Sequence, residues 1–340
     1  MISFYPVFAK YKDLDFKKLF ESVSPGDVER VITKEALEIP QLIALLSPAA
    51  EEVLEELAQK AYDIRLRNFG KIVNLYTPIY LSNYCDNQCV YCGFNSKSEI
   101  ERRRLTQEEV EAESKFISST GLRGVLILTG ESREESPVEY IKDCVKILRR
   151  YFTSISIEVY PLTEDEYASL VSEGVDGLTI YQEVYDEDIY AAVHPRGPKR
   201  DYLFRLDAPE RGAGADMRSI NIGVLLGLDD WRKEIFLMAL HARYLQNKFP
   251  AAEIGVSIPR LKAFLGDFKP PHNVSKKNIA QAIIALRIFL PRSNIALSTR
   301  EDPIFREDLI PLGITRMSAG STTRVGGRTI NARNEDNPAQ

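Results

Sequence analysis

Eight short runs rich in β-branched and other apolar residues punctuate this chain, at 73–81, 124–129, 154–159, 177–181, 220–226, 253–258, 294–298 and 314–318. Between them lie longer stretches with apolar residues at three-and-four spacing, among them 106–120, 137–151, 163–173, 231–248, 276–290 and 303–309. Amphipathic stretches of that length cover the face of a parallel sheet, and eight strands with crossover helices predict an α/β chain closed as a (β/α)8 TIM-type barrel. From position 13 to about position 67 the pattern is helical throughout, with apolar groups such as Ile32, Ala36 and Ile39 or Val53, Leu54, Leu57 and Ala58. Ser47 followed by Pro48 marks a helix start inside this segment. The expected organisation is an N-terminal helical extension over 1–70, a barrel over 71–327 and a polar tail over 328–340. No internal repeat is present beyond the strand–helix alternation.

In such a barrel the chemistry gathers at the C-terminal ends of the strands. Those ends are polar here: Cys85 with Cys89 and Cys92, Thr129-Gly130-Glu131, Glu158, Tyr181-Gln182-Glu183, Gly227, Ser257 with Arg260, Ser298-Thr299-Arg300, and Ser318 with Ser321. Packing alone does not call for so many polar residues at one mouth. The net charge of −5 offers no general attraction to phosphate backbones, which argues against nucleic acid as a partner. No stretch approaches 18 uninterrupted apolar residues, and no cleavable leader pattern opens the chain, so the expected location is the cytoplasm with no membrane contact.

Only four cysteines occur, and three fall within eight residues, in Tyr84-Cys85-Asp86-Asn87-Gln88-Cys89-Val90-Tyr91-Cys92-Gly93. This is a poor disulfide framework and a good set of thiolates for a metal centre. A structural zinc ion would want a fourth protein ligand, and His194, His241 and His272 all lie far downstream. A cubane cluster accepts three cysteines if a small molecule completes the fourth iron. The fourth cysteine, Cys144, falls in the apolar phase of a helical stretch and reads as a buried structural thiol.

The Cys-x3-Cys-x2-Cys spacing, with aromatic Tyr91 before the last cysteine, resembles the motif of the radical S-adenosylmethionine (SAM) superfamily. That resemblance implies a [4Fe–4S] cluster on Cys85, Cys89 and Cys92, with SAM chelated at the open iron through its amino and carboxylate groups. Thr129-Gly130-Glu131 resembles the superfamily's Gly-Gly-Glu element, which receives the SAM ammonium group; a plain strand–helix loop is the other reading. Arg205 suits the SAM carboxylate because a guanidinium clamps carboxylates bidentately, or else forms a surface ion pair with Asp207 or Glu210.

Further stretches are similar to the 2-iminoacetate synthases, tyrosine lyases of thiamine thiazole biosynthesis. They include Ala44-Leu45-Leu46-Ser47-Pro48, Tyr76-Thr77-Pro78-Ile79-Tyr80-Leu81-Ser82-Asn83, Tyr181-Gln182-Glu183, Arg205-Leu206-Asp207-Ala208-Pro209-Glu210-Arg211, Ser257-Ile258-Pro259-Arg260, Ser298-Thr299-Arg300-Glu301 and Ser318-Ala319-Gly320-Ser321. The resemblance implies cleavage of the Cα–Cβ bond of L-tyrosine to 2-iminoacetate and p-cresol through a 5′-deoxyadenosyl radical. It also implies a low-potential flavodoxin or ferredoxin as reductant and the thiazole synthase as consumer of the imine. A tryptophan lyase shares this fold, and a non-catalytic iron–sulfur electron carrier is the reading from a different class. A second cluster, as in the tyrosine lyase that matures [FeFe] hydrogenase, is not expected, because no cysteine follows Cys144.

For substrate, Arg300 is expected to hold the amino-acid carboxylate with Ser318 or Ser321 in support, or else to pair with Glu301 or Asp302. Tyr91, Glu158, Tyr181, Gln182 and Glu183 are expected to line the mouth and contact SAM or substrate, with Glu158 or Glu183 alternatively partnering Arg205 or Arg300. His194, in Val193-His194-Pro195-Arg196-Gly197-Pro198, sits in a loop that could help close over the site, although a lone histidine in a polar loop is more often merely solvated. Similar proteins continue past the last strand with a segment that packs near the mouth, whereas Gly326-Gly327 leads here into a short polar tail, so a mouth less shielded from water is expected.

Overall fold

The computed structural model describes residues 3–35, 37–261 and 268–329; Ala36 and positions 330–340 of the expected tail lie outside the described residues. Eight strands appear where the β-branched runs place them: β1 Asn74–Ser82, β2 Gly124–Thr129, β3 Ser154–Glu158, β4 Gly177–Glu183, β5 Ser219–Val224, β6 Glu253–Ser257, β7 Asn294–Leu297 and β8 Arg316–Ser318. Each pairs in parallel with the next in sequence, and β8 returns to β1 through Asn74 opposite Arg316 and Tyr76 opposite Ser318. The result is a closed (β/α)8 barrel.

The helices begin where the sequence supplies caps. Thr106, Thr163 and Ser275 form capping boxes with Glu109, Glu166 and Asn278, opening helices Gln107–Ser119, Glu164–Glu173 and Lys276–Phe289. Asp230 and Asp302 accept first-turn amides of Trp231–Lys248 and Pro303–Leu312. Gly174, at φ 110°, ends Glu164–Glu173 in the left-handed region that a side chain would disfavour.

The N-terminal segment is helical as expected, ending in Ile39–Leu46 and Leu54–Phe69. Ser47 caps a short 3-10 turn, Pro48–Glu51, before the last of these. Helices Ile39–Leu46 and Leu54–Phe69 pack on Lys276–Phe289, and one apolar cluster joins Leu42, Leu45 and Leu57 to Ile283 and Leu286 of the barrel's outer layer. Each such buried leucine contributes about 1.5–3 kcal/mol. Gln281 fixes the register by donating to the carbonyls of Leu45 and Ser47 at 3.0 and 2.9 Å. At the N-terminal end of the barrel, Arg65 ties the turns before β1 and β8 together by donating to the carbonyls of Gly70 at 2.7 Å and Ile314 at 3.1 Å. The loops that follow the strands form the mouth at the opposite end.

Two departures from regularity fall at that mouth. The β4–β5 pairing slips between Tyr181 and Glu183, and the β1–β2 pairing slips between Tyr80 and Ser82. Such bulges re-aim side chains at strand ends. Between β4 and β5 the chain inserts three helices that the sequence pattern does not anticipate, Glu187–Val193, Tyr202–Leu206 and Ala208–Gly214, with a 3-10 turn at Pro198–Arg200.

Candidate active site

The cysteine loop leaves β1 and is held by side chains that tie its backbone and its neighbours together. Arg102 reaches back into it and donates to the carbonyls of Asn83, Phe94, Asn95 and Ser98 at 2.6, 2.8, 2.6 and 3.3 Å. Asn87 bridges it to its neighbours: Nδ2 donates to Glu131 Oε2 at 2.6 Å, and Oδ1 accepts from the Lys199 amide at 2.8 Å. Asp86 N donates to the Glu131 carbonyl at 2.8 Å. Gly130 passes beneath the loop so closely that a Cβ would stand 2.2 Å from the Tyr84 carbonyl oxygen and 3.0 Å from Cys85 Cβ. Only glycine fits there, which gives the second residue of Thr129-Gly130-Glu131 a steric reason.

Cys89 is buried, and Cys85 and Cys92 are half-buried. Burial pushes the Cys89 thiol up to about 12 and raises Cys92, while Lys199 pulls both in the opposite direction. A bound metal would reverse this preference, since coordination deprotonates a thiol outright. Among the described residues no three His, Cys, Asp or Glu side chains converge as ligands of a single ion. The cysteines of a cubane bind three different irons, so three thiols on one loop are a donor set that suits a cluster.

The ends of β3 and β4 bring acids and bases together. Glu183, in the left-handed region at φ 73°, is 8% exposed and accepts from Lys199 Nζ at 2.6 Å, with Arg205 Nη2 at 3.7 Å. Arg205 also donates from Nε to the Tyr181 carbonyl at 2.6 Å. Arg205 is thus buried against Glu183, not paired at the surface with Asp207 or Glu210. A strained non-glycine conformation held by two cations marks a site where the surrounding structure imposes the geometry. Glu158 is pushed up to about 7, first by burial and then by the charge of Glu183, against the pull of Arg205, Arg300 and Lys199. Gln182 is buried with both amide atoms lacking a protein partner, as is Thr129 Oγ1. Tyr181 is accommodated by Gly223, whose Cβ would fall 2.4 Å from its ring.

On the other side of the mouth, Tyr76, Tyr181, Ser257, Arg260, Ser298 and Arg300 line a cavity. Arg300 is exposed at its rim. The acids beside it in sequence are engaged elsewhere: Glu301 with Arg260 through two contacts of 2.8 and 2.7 Å, and Asp302 with Lys276 at 2.7 Å. Ser318 is buried and accepts from Thr299 N at 3.2 Å, so it shapes the loop that carries Arg300. Ser321 is exposed. Tyr80 meets Phe94 of the cysteine loop edge to face at 5.7 Å and lies in register with Leu128, itself opposite Glu158, so the cysteine loop and the central carboxyl share one mouth.

Three contributors were not legible in the sequence. Arg102 and Lys199 carry no motif, although Lys199 follows the turn signal Gly197-Pro198. His194 is fully buried, contrary to the solvated reading; its Nε2 lies 2.7 Å from the Tyr91 hydroxyl and its Nδ1 2.8 Å from the Tyr190 carbonyl. Burial, then the charges of Lys199 and Arg205, drive its pKa down to about 2, so the ring is neutral.

A parallel barrel that presents three cysteines on the loop after its first strand, ringed by carboxylates and guanidinium groups, is a barrel enzyme built around a cluster and a small charged cofactor. Residues 79–239 match the radical SAM superfamily, and residues 257–335 match the Biotin and Thiamin Synthesis associated domain. The chain is 38% identical over 314 residues to the 2-iminoacetate synthase of Salmonella typhimurium, covering 92% of this chain and 83% of that protein. It is 38% identical over 318 residues to the 2-iminoacetate synthase of Escherichia coli, covering 93% and 84%. The crystal structure of HydG, a maturase of the [FeFe]-hydrogenase, superposes with a TM-score of 0.89 at 32% identity, covering 94% of this chain and 72% of that one. The chain belongs to the radical SAM superfamily and, within it, to the family of 2-iminoacetate synthases. Its cofactors are those of the superfamily, a [4Fe–4S] cluster and SAM. No described helix is long and apolar enough to cross a membrane.

Proposed function

We propose that this chain cleaves the Cα–Cβ bond of L-tyrosine to 2-iminoacetate and p-cresol, supplying the imine for the thiazole of thiamine. In this reading 1–70 is a helical buttress, 71–327 the catalytic barrel and 328–340 a polar tail. Cys85, Cys89 and Cys92 hold the cluster. Thr129, Gly130, Glu131 and Arg205 receive the amino-acid end of SAM, with Tyr91, Glu158, Tyr181 and Glu183 lining the rest of its site. A reduced cluster on these cysteines, with SAM beside it, would supply radical chemistry for abstracting a hydrogen atom from the substrate amine.

The chain's own residues then have three tasks. Arg300 clamps the substrate carboxylate, and Ser318 stiffens the loop beneath it through Thr299 N, with Ser321 farther out as a hydroxyl partner. Glu158, titrating at about 7, stands where it can hold the substrate ammonium group or take a proton from it. Tyr181 and Tyr76 offer an aromatic wall to the substrate ring. A flavodoxin or ferredoxin delivers electrons, and the thiazole synthase takes up the imine. All of this proceeds in the cytoplasm, where loop thiols stay reduced.

The observation that carries the reading is the grouping at one set of strand ends of the cysteine loop after β1, Glu158 at the end of β3, the Glu183–Lys199–Arg205 group after β4 and Arg300 after β7: thiol donors, a carboxyl and a carboxylate clamp share one mouth. Anaerobic turnover of the reconstituted protein with each aromatic amino acid tests it. Release of p-cresol from tyrosine is expected. A new arene from tryptophan with none from tyrosine overturns the substrate assignment.

A further inference from the structure

The His194 ring is the one buried imidazole that backs the cysteine loop, and its proton can be placed by elimination. The Tyr190 carbonyl only accepts, so Nδ1, 2.8 Å away, carries the hydrogen. Nε2 is therefore an acceptor, and the Tyr91 hydroxyl donates to it over 2.7 Å. The two rings meet edge to face at 5.5 Å and 86°. This directs the Tyr91 proton into the protein, away from the mouth. Tyr91 sits between Cys89 and Cys92, so whatever fixes its ring also fixes the backbone between two of the three thiols.

The chain on either side of His194 grips the same loop at several further points. Gln88 N donates to the Arg196 carbonyl at 3.0 Å, Val90 N to the Val193 carbonyl at 3.1 Å, and Lys199 N to Asn87 Oδ1 at 2.8 Å. Gly197, at φ 100°, comes so near that a Cβ would be 2.3 Å from Asn87 Oδ1. The Lys199 ammonium stands 5.6 Å from the Tyr91 ring centroid. Turn and loop thus form one rigid unit, in which the Tyr91–His194 hydrogen bond links two side-chain rings.

We propose that His194 is a positioning residue for the sulfonium cofactor: by accepting from the Tyr91 hydroxyl it holds the Tyr91 ring as a fixed wall against which SAM seats beside the cluster. His194 touches neither the cluster nor SAM in this role. The inference rests on the assignment of SAM to this mouth made above. Two substitutions separate its two nitrogens. His194→Asn keeps an amide near Nδ1 to donate to the Tyr190 carbonyl but has no atom at Nε2. His194→Gln reaches far enough to place a carbonyl oxygen where Nε2 accepts.

The test is a titration of SAM into full-length, anaerobically reconstituted and reduced protein, following the cluster's electron paramagnetic resonance signal, with iron and sulfide content measured alongside. H194N is expected to raise the apparent Kd for SAM about fivefold, the factor that corresponds to the ~1 kcal/mol of one neutral hydrogen bond. H194Q is expected to stay within about twofold of wild type. Y91F should reproduce the H194N effect, and the double variant Y91F/H194N should be no weaker than Y91F. A wild-type affinity in H194N, or a double variant much weaker than Y91F, overturns the inference. If H194N takes up no iron, Y91F with wild-type affinity overturns it instead. A wild-type signal indifferent to SAM overturns the cofactor assignment itself, and this inference falls with it.

Discussion

Replacing Gly130 by alanine isolates the contact between the second strand's loop and the cysteine loop. The added methyl would stand 2.2 Å from the Tyr84 carbonyl oxygen, a backbone atom that cannot rotate away. Ordinary contact between such atoms needs more than about 3 Å, so the cysteine loop must retreat by about 1 Å or the β2 end must bend by as much. Overpacking of this kind costs about 1–3 kcal/mol, too little to unfold a barrel of this size. Displacing reacting groups by about 1 Å, however, costs about a hundredfold in rate. G130A is therefore expected to fold, to lose most of its cluster or its response to SAM, and to make p-cresol at about 1% of the wild-type rate or less. Gly124→Ala is the control, since its Cβ would meet nothing closer than the Leu75 carbonyl oxygen at 3.5 Å, and it should behave as wild type. The assay is p-cresol release under anaerobic turnover, with circular dichroism and iron content measured on the same preparations. A G130A protein with full iron content and unchanged turnover would refute the reasoning.

Arg300→Ala should raise the KM for tyrosine by about 10–100-fold, the worth of a charge-assisted clamp, while leaving the Kd for SAM unchanged; a fall in SAM affinity with unaltered KM would move Arg300 to the cofactor side. Arg102→Ala removes four donors from the cysteine loop and should lower iron uptake after reconstitution without shifting the barrel's circular dichroism; full iron occupancy would contradict it. Glu158 has a folded pKa raised to about 7 from an ordinary 4.5, so its contribution to the stability of the cluster-free protein is complete below about pH 4.5 and is lost as pH rises through about 7. Glu158→Gln should accordingly gain stability relative to wild type at pH 8, by less than about 3 kcal/mol, and show no such gain at pH 4.5. Urea midpoints at the two pH values check this, and equal differences at both would contradict it.

The barrel was legible because its signals are local and redundant. Runs at 124–129 and 253–258 carry β-branched residues between helix caps, and β2 and β6 occupy them to within one residue. Helix Trp231–Lys248 begins and ends where its apolar spacing does. The three helices between β4 and β5 were not legible. They are short, interrupted by Pro195, Gly197 and Pro198, and too brief to show a helical period. That insertion carries His194, Lys199 and Arg205, so the half of the site that faces the cysteine loop depends on tertiary placement. The sequence pattern assigned Arg205 two readings, and the β4 bulge, which turns Glu183 to φ 73°, removes the surface pairing with Asp207 or Glu210. His194 looked solvated because its neighbours Pro195, Arg196 and Gly197 are exposed; the imidazole itself turns inward. Ser318 and Ser321 share one motif yet part company, one buried under the Arg300 loop and one exposed.

The claim on which the rest depends is that one iron of the cluster has no protein ligand and takes the amino and carboxylate groups of SAM. Electron–nuclear double resonance on the reduced, reconstituted protein mixed with SAM labelled with 15N at the amino group addresses it directly. Hyperfine coupling between that nitrogen and the cluster spin is predicted. A cluster signal without such coupling, or zinc in place of iron at Cys85, Cys89 and Cys92, would contradict the account.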